Sequence, residues 1–197
     1  MQIGILGAGN VGLALGRQLV GAGHHVQLSA TRDPQALKPV ADGIGATAAS
    51  VADASAAELV VLAVPWPAVP DVLGPLPDWQ SRILVDATNP FINVNPLQPA
   101  DLGGRSASVF VAEQAPGARV VKAFNSIAMV DFEKGPQQGD AKRVLFVSGD
   151  DAPSKQTVGN LISELGFAVI DLGGLDEGGR MQQPGGPLAG RDILLNQ

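Results

Sequence analysis

Three spaced glycines near the first residue constrain the fold of this 197-residue chain more than any other feature. Residues 7–12 read Gly-Ala-Gly-Asn-Val-Gly; they follow the apolar segment 3–6, and a helix-like apolar pattern follows them over 13–19. The order of strand, tight turn and helix, with a second predicted strand about 20 residues further on, is typical of dinucleotide-binding α/β folds. We therefore expect a Rossmann-type doubly wound, mostly parallel sheet.

Each glycine of this motif has a separate expected task. Gly7 makes the sharp turn, Gly9 leaves room for a pyrophosphate to approach the backbone, and Gly12 lets the helix pack closely on the strand. The helix begins near Asn10 and Val11, so free N–H groups and the helix dipole there favour the negative charge of phosphate. The alternative is a glycine-rich turn that serves packing alone.

The composition favours a compact, well-packed chain and excludes several kinds of site and partner. Charged residues are 16% and hydrophobic residues 45% of the sequence, which indicates a buried core rather than a disordered chain. The formal net charge of −6 argues against nucleic acid as a partner. The chain has no cysteine, and its two histidines are neighbours at 24 and 25, so we expect no metal site and no cysteine nucleophile.

Neither a secretory leader nor a membrane span is expected. No basic segment precedes an apolar one at the start of the sequence, and the longest apolar run, 59–64, is far shorter than a membrane span. We therefore expect a cytoplasmic protein without membrane contacts. The length suits a single domain over 1–197, with a dinucleotide-binding core over about 1–125 and a small C-terminal α/β extension and tail over about 126–197.

The residues after the second predicted strand indicate which dinucleotide is bound. Folds that select NAD usually carry an acidic residue here, and it binds the ribose 2′-hydroxyl. Residues 29–32 instead read Ser-Ala-Thr-Arg, in which Thr31 and the Arg32 guanidinium can bond a 2′-phosphate. Asp33 precedes Pro34 and fits a helix N-cap better than a ribose ligand. We therefore predict NADP(H) rather than NAD.

Further candidate site residues lie where later strands end, since ligands of these folds sit beyond the carboxyl ends of the strands. Val64, Pro65 and Trp66 follow the fourth predicted strand, and we expect them beside the nicotinamide. Trp66 either stacks on a flat ring or packs against the following helix. Asn89 ends the fifth strand, where it either bonds the ligand or caps the turn before Pro90.

Three other segments are predicted less specifically. The prolines and glycines of 91–104 indicate an irregular loop that is long enough to cover the cleft. Lys122 lies within the sixth predicted strand, 119–124, and the sequence assigns it no role. The glycine-rich segment from Gly173 onward ends in apolar residues, so we expect it to pack over the cleft or on a partner subunit.

Several motifs together give the chain a family resemblance over about residues 1–175. It resembles the NADP oxidoreductases that depend on the deazaflavin coenzyme F-420, and it is similar to the NADPH-binding domain of the STEAP metalloreductases. The glycine motif is common to many families, whereas the runs that end at Asn125 and Asp151 are more specific. The segments that carry the resemblance are 7–12, 31–34, 84–90, 120–125, 148–151 and 169–173.

The resemblance implies direct hydride transfer between NADPH and a flat deazaflavin or flavin ring. It places Thr31 and Arg32 at the 2′-phosphate, and Asn125 and Ser126 near the nicotinamide and the second ring. Archaeal members of the family carry His at the position of Asn125, whereas the STEAP-like branch carries Asn. The acceptor therefore stays open between a deazaflavin and a flavin.

No residue pattern indicates a general acid or base. Related hydroxyacid dehydrogenases use a catalytic Lys on a large helical second domain, which we do not expect in this chain. Hydride transfer to a ring needs close alignment in a dry pocket rather than a strong base, so we predict no catalytic side chain.

A non-catalytic NADP-binding sensor and a flavin or ferric reductase of STEAP type stay as alternatives. The substrate is expected to be a small redox molecule, and a homo-oligomer is left open. The pocket lining is expected to include Val64, Pro65, Trp66, Phe124 and Ile127.

Overall fold

Ten strands form one sheet in the computed structural model, which describes residues 1–196. With two more in a separate hairpin, the described strands number twelve: β1 Gln2–Leu6, β2 His25–Ser29, β3 Thr47–Ala49, β4 Leu59–Leu62, β5 Ile83–Asp86, β6 Phe91–Val94, β7 Leu97–Pro99, β8 Arg119–Lys122, β9 Gln137–Gln138, β10 Ala141–Gly149, β11 Ala168–Asp171 and β12 Leu194–Asn196. The main order is β11-β10-β8-β5-β4-β1-β2-β3, with β9 and β12 paired to the start of β10. Strands β6 and β7 form a separate hairpin.

Eight helices cover the two faces of this sheet in the described part of the chain. They are α1 Asn10–Gly21, α2 Pro34–Asp42, α3 Val51–Ser55, α4 Val69–Leu73, α5 Ala107–Gln114, α6 Met129–Phe132, α7 Ala152–Glu164 and α8 Leu175–Gln182. Alternate residues of β4 enter different cores, since side chains alternate between the faces of a strand. Val61 belongs to the core that also contains residues of α1, α2 and α7, whereas Val60 and Leu62 belong to the core that contains residues of α3, α4 and α5. The strand is buried on both faces, as parallel strands in such folds are.

The sheet has a switch point between β1 and β4. The chain runs from β1 outward to β2 and β3, then returns to β4, β5 and β8 on the other side, and all six strands are parallel. Strand β10 is antiparallel to β8 and begins the C-terminal extension. Ligands of doubly wound sheets bind in the crevice beyond the carboxyl ends at such a switch point. The prediction of a Rossmann-type doubly wound sheet is confirmed.

The prediction of an irregular loop over 91–104 is wrong for its first half. Strands β6 and β7 pair there as an antiparallel hairpin with Asn95 and Pro96 in its turn. Proline is tolerated in a turn and on an unpaired strand edge, where no ladder donor is needed, so it did not prevent strand pairing here. The hairpin leaves Val94 and Leu97 about two-thirds or more exposed, at 72% and 66%.

The C-terminal segment packs on the extension of its own chain. Helix α8 contacts β10 and α5, and β12 pairs with the start of β10. The Gly190 N–H donates to the Ser126 carbonyl at 2.7 Å, and the buried Arg143 side chain bonds Asp192 at 3.0 Å. These contacts hold the segment against α5, the start of β10 and the turn at Ser126. Its expected position over the cleft is therefore wrong for the described residues, and packing on a partner subunit stays a prediction.

Candidate dinucleotide-binding site

The glycine turn joins β1 to α1 and has the geometry that the motif predicts. Gly7 has a φ of 117°, which favours glycine, and its N–H donates to the Ser29 carbonyl at 2.9 Å. A Cβ at Gly12 would collide with the Gly7 carbonyl, so this position must be glycine for α1 to pack on the turn. A Cβ at Gly9 would meet no protein atom within 4 Å. The backbone at Gly9 is therefore open to a ligand.

Helix α1 presents unpaired backbone donors above this turn. Its first intrahelical bond runs from the Leu13 N–H to the Gly9 carbonyl at 2.9 Å. The N–H groups of Asn10, Val11 and Gly12 precede that bond and have no partner within the helix. No side chain caps the helix at Gly9. Free donors and the positive end of the helix dipole together make an anion site.

One cavity of about 350 Å³ extends from the glycine turn toward the end of β2. Thr31 and Arg32 line it and are exposed to solvent, as side chains that bind the 2′-phosphate of an incoming ligand must be. Asp33 instead caps α2, since its Oδ1 accepts from the Gln35 N–H at 2.7 Å and Pro34 begins the helix. The prediction that Asp33 is a cap is confirmed. The other residues lining this cavity are Leu6, Gly7, Ala8, Gly9, Ala30, Val51, Ala63, Val64, Pro65, Ala68 and Val72.

A second cavity of about 450 Å³ extends from the same turn toward the hairpin. Its lining contains no charged side chain and consists of Gly9, Asn10, Val11, Ala63, Val64, Pro65, Trp66, Ala87, Thr88, Asn89, Phe91 and Val94. The two cavities share Gly9 and 63–65. They therefore form one continuous cleft across the switch point between β1 and β4.

Trp66 packs on α5 rather than on the helix that follows it, and its stacking on a flat ring stays a prediction. It lies in a 3₁₀ turn, Trp66–Ala68, and its ring meets the Phe110 ring edge-on at a centroid distance of 6.5 Å. Trp66 also lines the uncharged cavity and an adjacent apolar pocket of about 230 Å³ that includes Ile92. The indole is therefore fixed by packing while it borders the cleft.

Asn125 and Ser126 do not line either cavity. Asn125 is 7% and Ser126 is 2% exposed. Asn125 Nδ2 donates to Asn89 Oδ1 at 3.1 Å and to the Gln182 carbonyl at 3.1 Å, and Asn89 Nδ2 donates to the Asn125 carbonyl at 3.0 Å. Asn89 lines the cleft, so Asn125 lies one layer beneath it. Phe124 and Ile127 also belong to the core rather than to the cavity wall, which corrects the prediction for both.

The backbone is strained at Phe124, the residue that precedes Asn125. Its φ is 63°, in the left-handed region that aromatic residues rarely adopt. Such a conformation costs about 1–3 kcal/mol and persists where surrounding contacts over-determine it. The Phe124 ring is buried and meets the Phe132 ring edge-on at 6.3 Å. Core packing therefore holds the bend that turns Asn125 toward Asn89.

A buried ion pair lies beneath the same part of the cleft, and sequence reasoning did not find it. Lys122 Nζ lies 3.0 Å from Asp86 Oδ2, and both side chains are fully buried. Burial lowers the pKa of the Lys122 ammonium, and the adjacent Asp86 carboxylate opposes that shift. The available signal was a pair of opposite charges, each directly after two or more apolar residues at the end of a strand.

Two other structural features bear on the site and its surroundings. Among residues 1–196, no three His, Cys, Asp or Glu side chains converge on a point where a metal ion could be held. None of the helices in that range combines the length and apolar character that crossing a membrane requires.

The fold and the cleft together are those of a dinucleotide-binding α/β domain. Residues 2–90 match the family model described as NADP oxidoreductase, coenzyme F420-dependent, and this match contains every cleft residue up to Asn89. The chain belongs to this family of NADP-binding oxidoreductases.

Similar proteins of known structure agree with this assignment. A hypothetical protein from Sinorhizobium meliloti is 38% identical, with a TM-score of 0.92 over 100% of this chain and 97% of that one. A protein from Arthrobacter sp. FB24, proposed to be an F420-dependent NADP reductase, is 30% identical, with a TM-score of 0.70 over 88% of this chain and 85% of that one. Their shared fold extends beyond the segment that the family model matches.

A curated relative, the metalloreductase STEAP3 of Rattus norvegicus, is 28% identical over 175 residues. The matched region is 88% of this chain and 34% of that protein, so the chain spans about a third of the relative's length. The predicted resemblance to both groups is confirmed.

Proposed function

We propose that this protein transfers a hydride between NADP(H) and a flat ring cofactor, most simply a deazaflavin such as coenzyme F-420. The observation that carries the proposal is the continuous cleft at the switch point. It has Thr31 and Arg32 at one end, the open glycine turn in the middle and an uncharged cavity at the other end. This order matches the order of the parts of NADPH, from 2′-phosphate through pyrophosphate to nicotinamide.

The residues present fit the dinucleotide at three points. The open face of Gly9 admits the pyrophosphate, and the N–H groups that begin α1 can bond it. Arg32 can form charge-assisted bonds to the 2′-phosphate, while Lys38 on the next helix is already paired with Asp42 at 2.7 Å. Trp66 and Asn89 border the space left for the nicotinamide. NADPH, when bound there, supplies the hydride.

The uncharged cavity supports a ring acceptor rather than a carbonyl or imine. Reduction of a carbonyl or imine needs a proton as well as a hydride, and enzymes usually supply it from a positioned acid. The cavity lining has no carboxylate, imidazole or ammonium group. A conjugated ring can spread the arriving electron pair and take any further proton from water. The chain's task would then be to align the two rings at about 3–3.5 Å and to exclude water from the space between them.

Two alternatives remain in view. The similarity to STEAP3 favours a flavin or ferric reductase, in which a flavin would replace the deazaflavin. A non-catalytic NADP sensor would be favoured by a cleft plugged by the C-terminal segment. No residue of that segment through 196 lines either cavity, which supports the enzyme over the sensor.

Stopped-flow mixing distinguishes these functions. The protein is premixed with NADPH and then mixed with coenzyme F-420, FMN or FAD, and NADPH oxidation is followed by absorbance. We expect rapid oxidation with the deazaflavin and slower or no oxidation with the flavins. Faster oxidation with FMN or FAD would support the STEAP-type alternative. Tight NADPH binding without oxidation by any acceptor would support the sensor.

A further inference from the structure

We propose that Lys122 is a positioning residue, which holds the turn that presents Thr88 and Asn89 to the cavity. The inference rests on the proposed function, because it assigns the alignment of the reacting rings to groups beneath the cleft. It concerns a residue for which the sequence indicated no role.

The pairing of β5 with β8 places the two charged residues of the ion pair side by side. Asp86 and Lys122 are direct partners at the carboxyl ends of the parallel strands β5 and β8. Their side chains therefore extend on the same side of the sheet and meet at 3.0 Å, without exposure to solvent. Each strand end is thus tied to the other at the edge where the cavity begins.

Both carboxylate oxygens of Asp86 accept hydrogen bonds from neighbouring residues. Its Oδ1 accepts from the Thr88 N–H at 2.9 Å and from the Thr88 hydroxyl at 2.7 Å. Its Oδ2 accepts from the Ser108 hydroxyl at 2.7 Å and from the Lys122 ammonium. A carboxylate has about four acceptor positions, so none is left for a ligand. The role of Asp86 is therefore structural, directed at Thr88.

The Lys122 ammonium also bonds Thr88 directly. Besides Asp86, it donates to the Thr88 carbonyl. Thr88 is thus held at its N–H, its hydroxyl and its carbonyl, and the next residue is Asn89. Both residues line the uncharged cavity, and Asn89 is also held from the other side by Asn125. The wall of the cavity is therefore fixed from two directions.

Stability alone does not account for this arrangement. A buried ion pair often stabilises a protein no more than apolar side chains of the same volume would. The bonds of this pair instead converge on one residue of the cavity wall. In contrast, the pair of Lys155 and Asp171 at 2.9 Å also includes a carbonyl, that of Gly173, but it lies at β11, two strands from β8, and bonds no residue of the cavity wall. That pair is more exposed than the Lys122 pair, and it serves as a control for the loss of an ion pair away from the cavity.

The test uses the double variant Asp86→Asn/Lys122→Met, which removes both charges and keeps similar side-chain volumes. The control is Asp171→Asn/Lys155→Met. Single-turnover hydride transfer is measured from bound NADPH to the acceptor that the wild-type protein reduces best, together with the Kd for NADPH and the thermal midpoint. We expect the rate to fall by about tenfold to 100-fold in the first variant, with the Kd changed by less than about threefold. The control variant keeps the wild-type rate.

A second measurement does not depend on turnover. In the free protein, the side-chain amide protons of Asn89 should give resolved NMR signals that exchange slowly with water, since both its oxygen and its nitrogen are bonded to Asn125. These signals should broaden or exchange faster in the double variant but not in the control. A folded double variant with an unchanged rate, or with unchanged Asn89 signals, overturns the inference. If the wild-type protein oxidises no NADPH, the proposed function fails by itself, and the NMR comparison still decides whether Lys122 positions Asn89.

Discussion

Asn89 and Asn125 exchange hydrogen bonds across the carboxyl ends of β5 and β8. Asn125 Nδ2 donates to Asn89 Oδ1 at 3.1 Å, and Asn89 Nδ2 donates to the Asn125 carbonyl at 3.0 Å. Only Asn89 reaches the cleft, and Asn125 also bonds the Gln182 carbonyl at the end of α8. The wall of the cleft is therefore connected to the C-terminal segment through two amide side chains.

Replacement of Arg32 should weaken the binding of NADPH and leave the binding of NADH nearly unchanged. Arg32→Ala removes the guanidinium at the end of β2 and should weaken NADPH binding by about 2–3 kcal/mol or less, the range for a hydrogen bond to a charged group. NADH binding should change little, because NADH has no 2′-phosphate. The Kd values are measured by the fluorescence of the reduced dinucleotides. Lys38→Ala is the control, since Lys38 is paired with Asp42. Equal losses for NADPH and NADH would show that Arg32 does not contact the phosphate.

Gly9→Ala should affect binding without affecting folding. The added Cβ meets no protein atom within 4 Å, so the free energy of unfolding should change by less than about 1 kcal/mol. The same methyl group would occupy the space expected for the pyrophosphate, so NADPH affinity should fall by about tenfold or more, which is ~1.4 kcal/mol. Gly21→Ala is a matched control, because its Cβ is equally free of contacts and lies in the last turn of α1. Unchanged affinity in Gly9→Ala would place the pyrophosphate elsewhere.

Trp66 should report the arrival of a ring in the uncharged cavity. The chain has two tryptophans, and Trp79 is only 2% exposed in the core. Addition of the acceptor to the NADPH complex should quench the indole emission of the wild-type protein and of Trp79→Phe. Trp66→Phe should lose most of this quenching, because the indole that borders the cavity is gone. Quenching that survives in Trp66→Phe would mean that the acceptor binds away from this cavity.

Loss of only one partner of the buried ion pair should be severe. Lys122→Met leaves the Asp86 carboxylate buried without its counter-charge, which should cost about 3–5 kcal/mol of unfolding free energy. Asp86→Asn in the same chain should recover most of that loss, because no unpaired charge remains. Urea unfolding curves of the two variants measure the difference. Equal stability of the single and double variants would show that the charge of Asp86 is not what destabilises the single variant.

Asp151 should give the protein a stability contribution that acid removes. It caps α7, where hydrogen bonds from the Ser154 hydroxyl and N–H, with Arg119 nearby, hold the pKa of its carboxyl below the ordinary value of 3.8. A lowered pKa in the folded state means that the unfolded chain binds protons first, so stability falls as the pH decreases through this range. Compared with Asp151→Asn, the wild-type protein should have its full advantage above about pH 5, and this should shrink toward pH 3. Unfolding curves at several pH values check this, and a constant difference would contradict it.

The sequence predicted the part of the cleft that depends on local chemistry. Gly7 makes the turn and Gly12 packs closely against it as predicted, because a strand, a turn and a helix are adjacent in the chain. Gly9 is open as expected, and its contact with a pyrophosphate stays a prediction. Asp33 was recognised as a cap for the same reason, since a cap and its helix are neighbours. Properties that need only a few consecutive residues could therefore be predicted.

The remaining features depend on contacts between distant segments. The pairing of Asp86 with Lys122 requires the register of β5 against β8, which no local pattern specifies. Asn125 and Ser126 are buried because the C-terminal segment folds back over them, where the Gln182 carbonyl accepts from Asn125 and the Gly190 N–H donates to the Ser126 carbonyl. A glycine-rich sequence gives no periodic signal for that path. The hairpin of β6 and β7 was missed because its prolines suggested irregular structure, although they occupy places that a hairpin tolerates.

The lack of charge in the cavity beside Trp66 leaves the two oxidation states of a bound nicotinamide with little electrostatic preference. An oxidised nicotinamide is a cation and a reduced one is neutral, so a carboxylate in the wall would stabilise the oxidised form and draw hydride away from NADPH. The lining of this cavity has none. The protein would then add little electrostatic bias of its own to hydride transfer between the bound rings, and the reduction potentials and cellular ratios of dinucleotide and acceptor would set which partner is reduced.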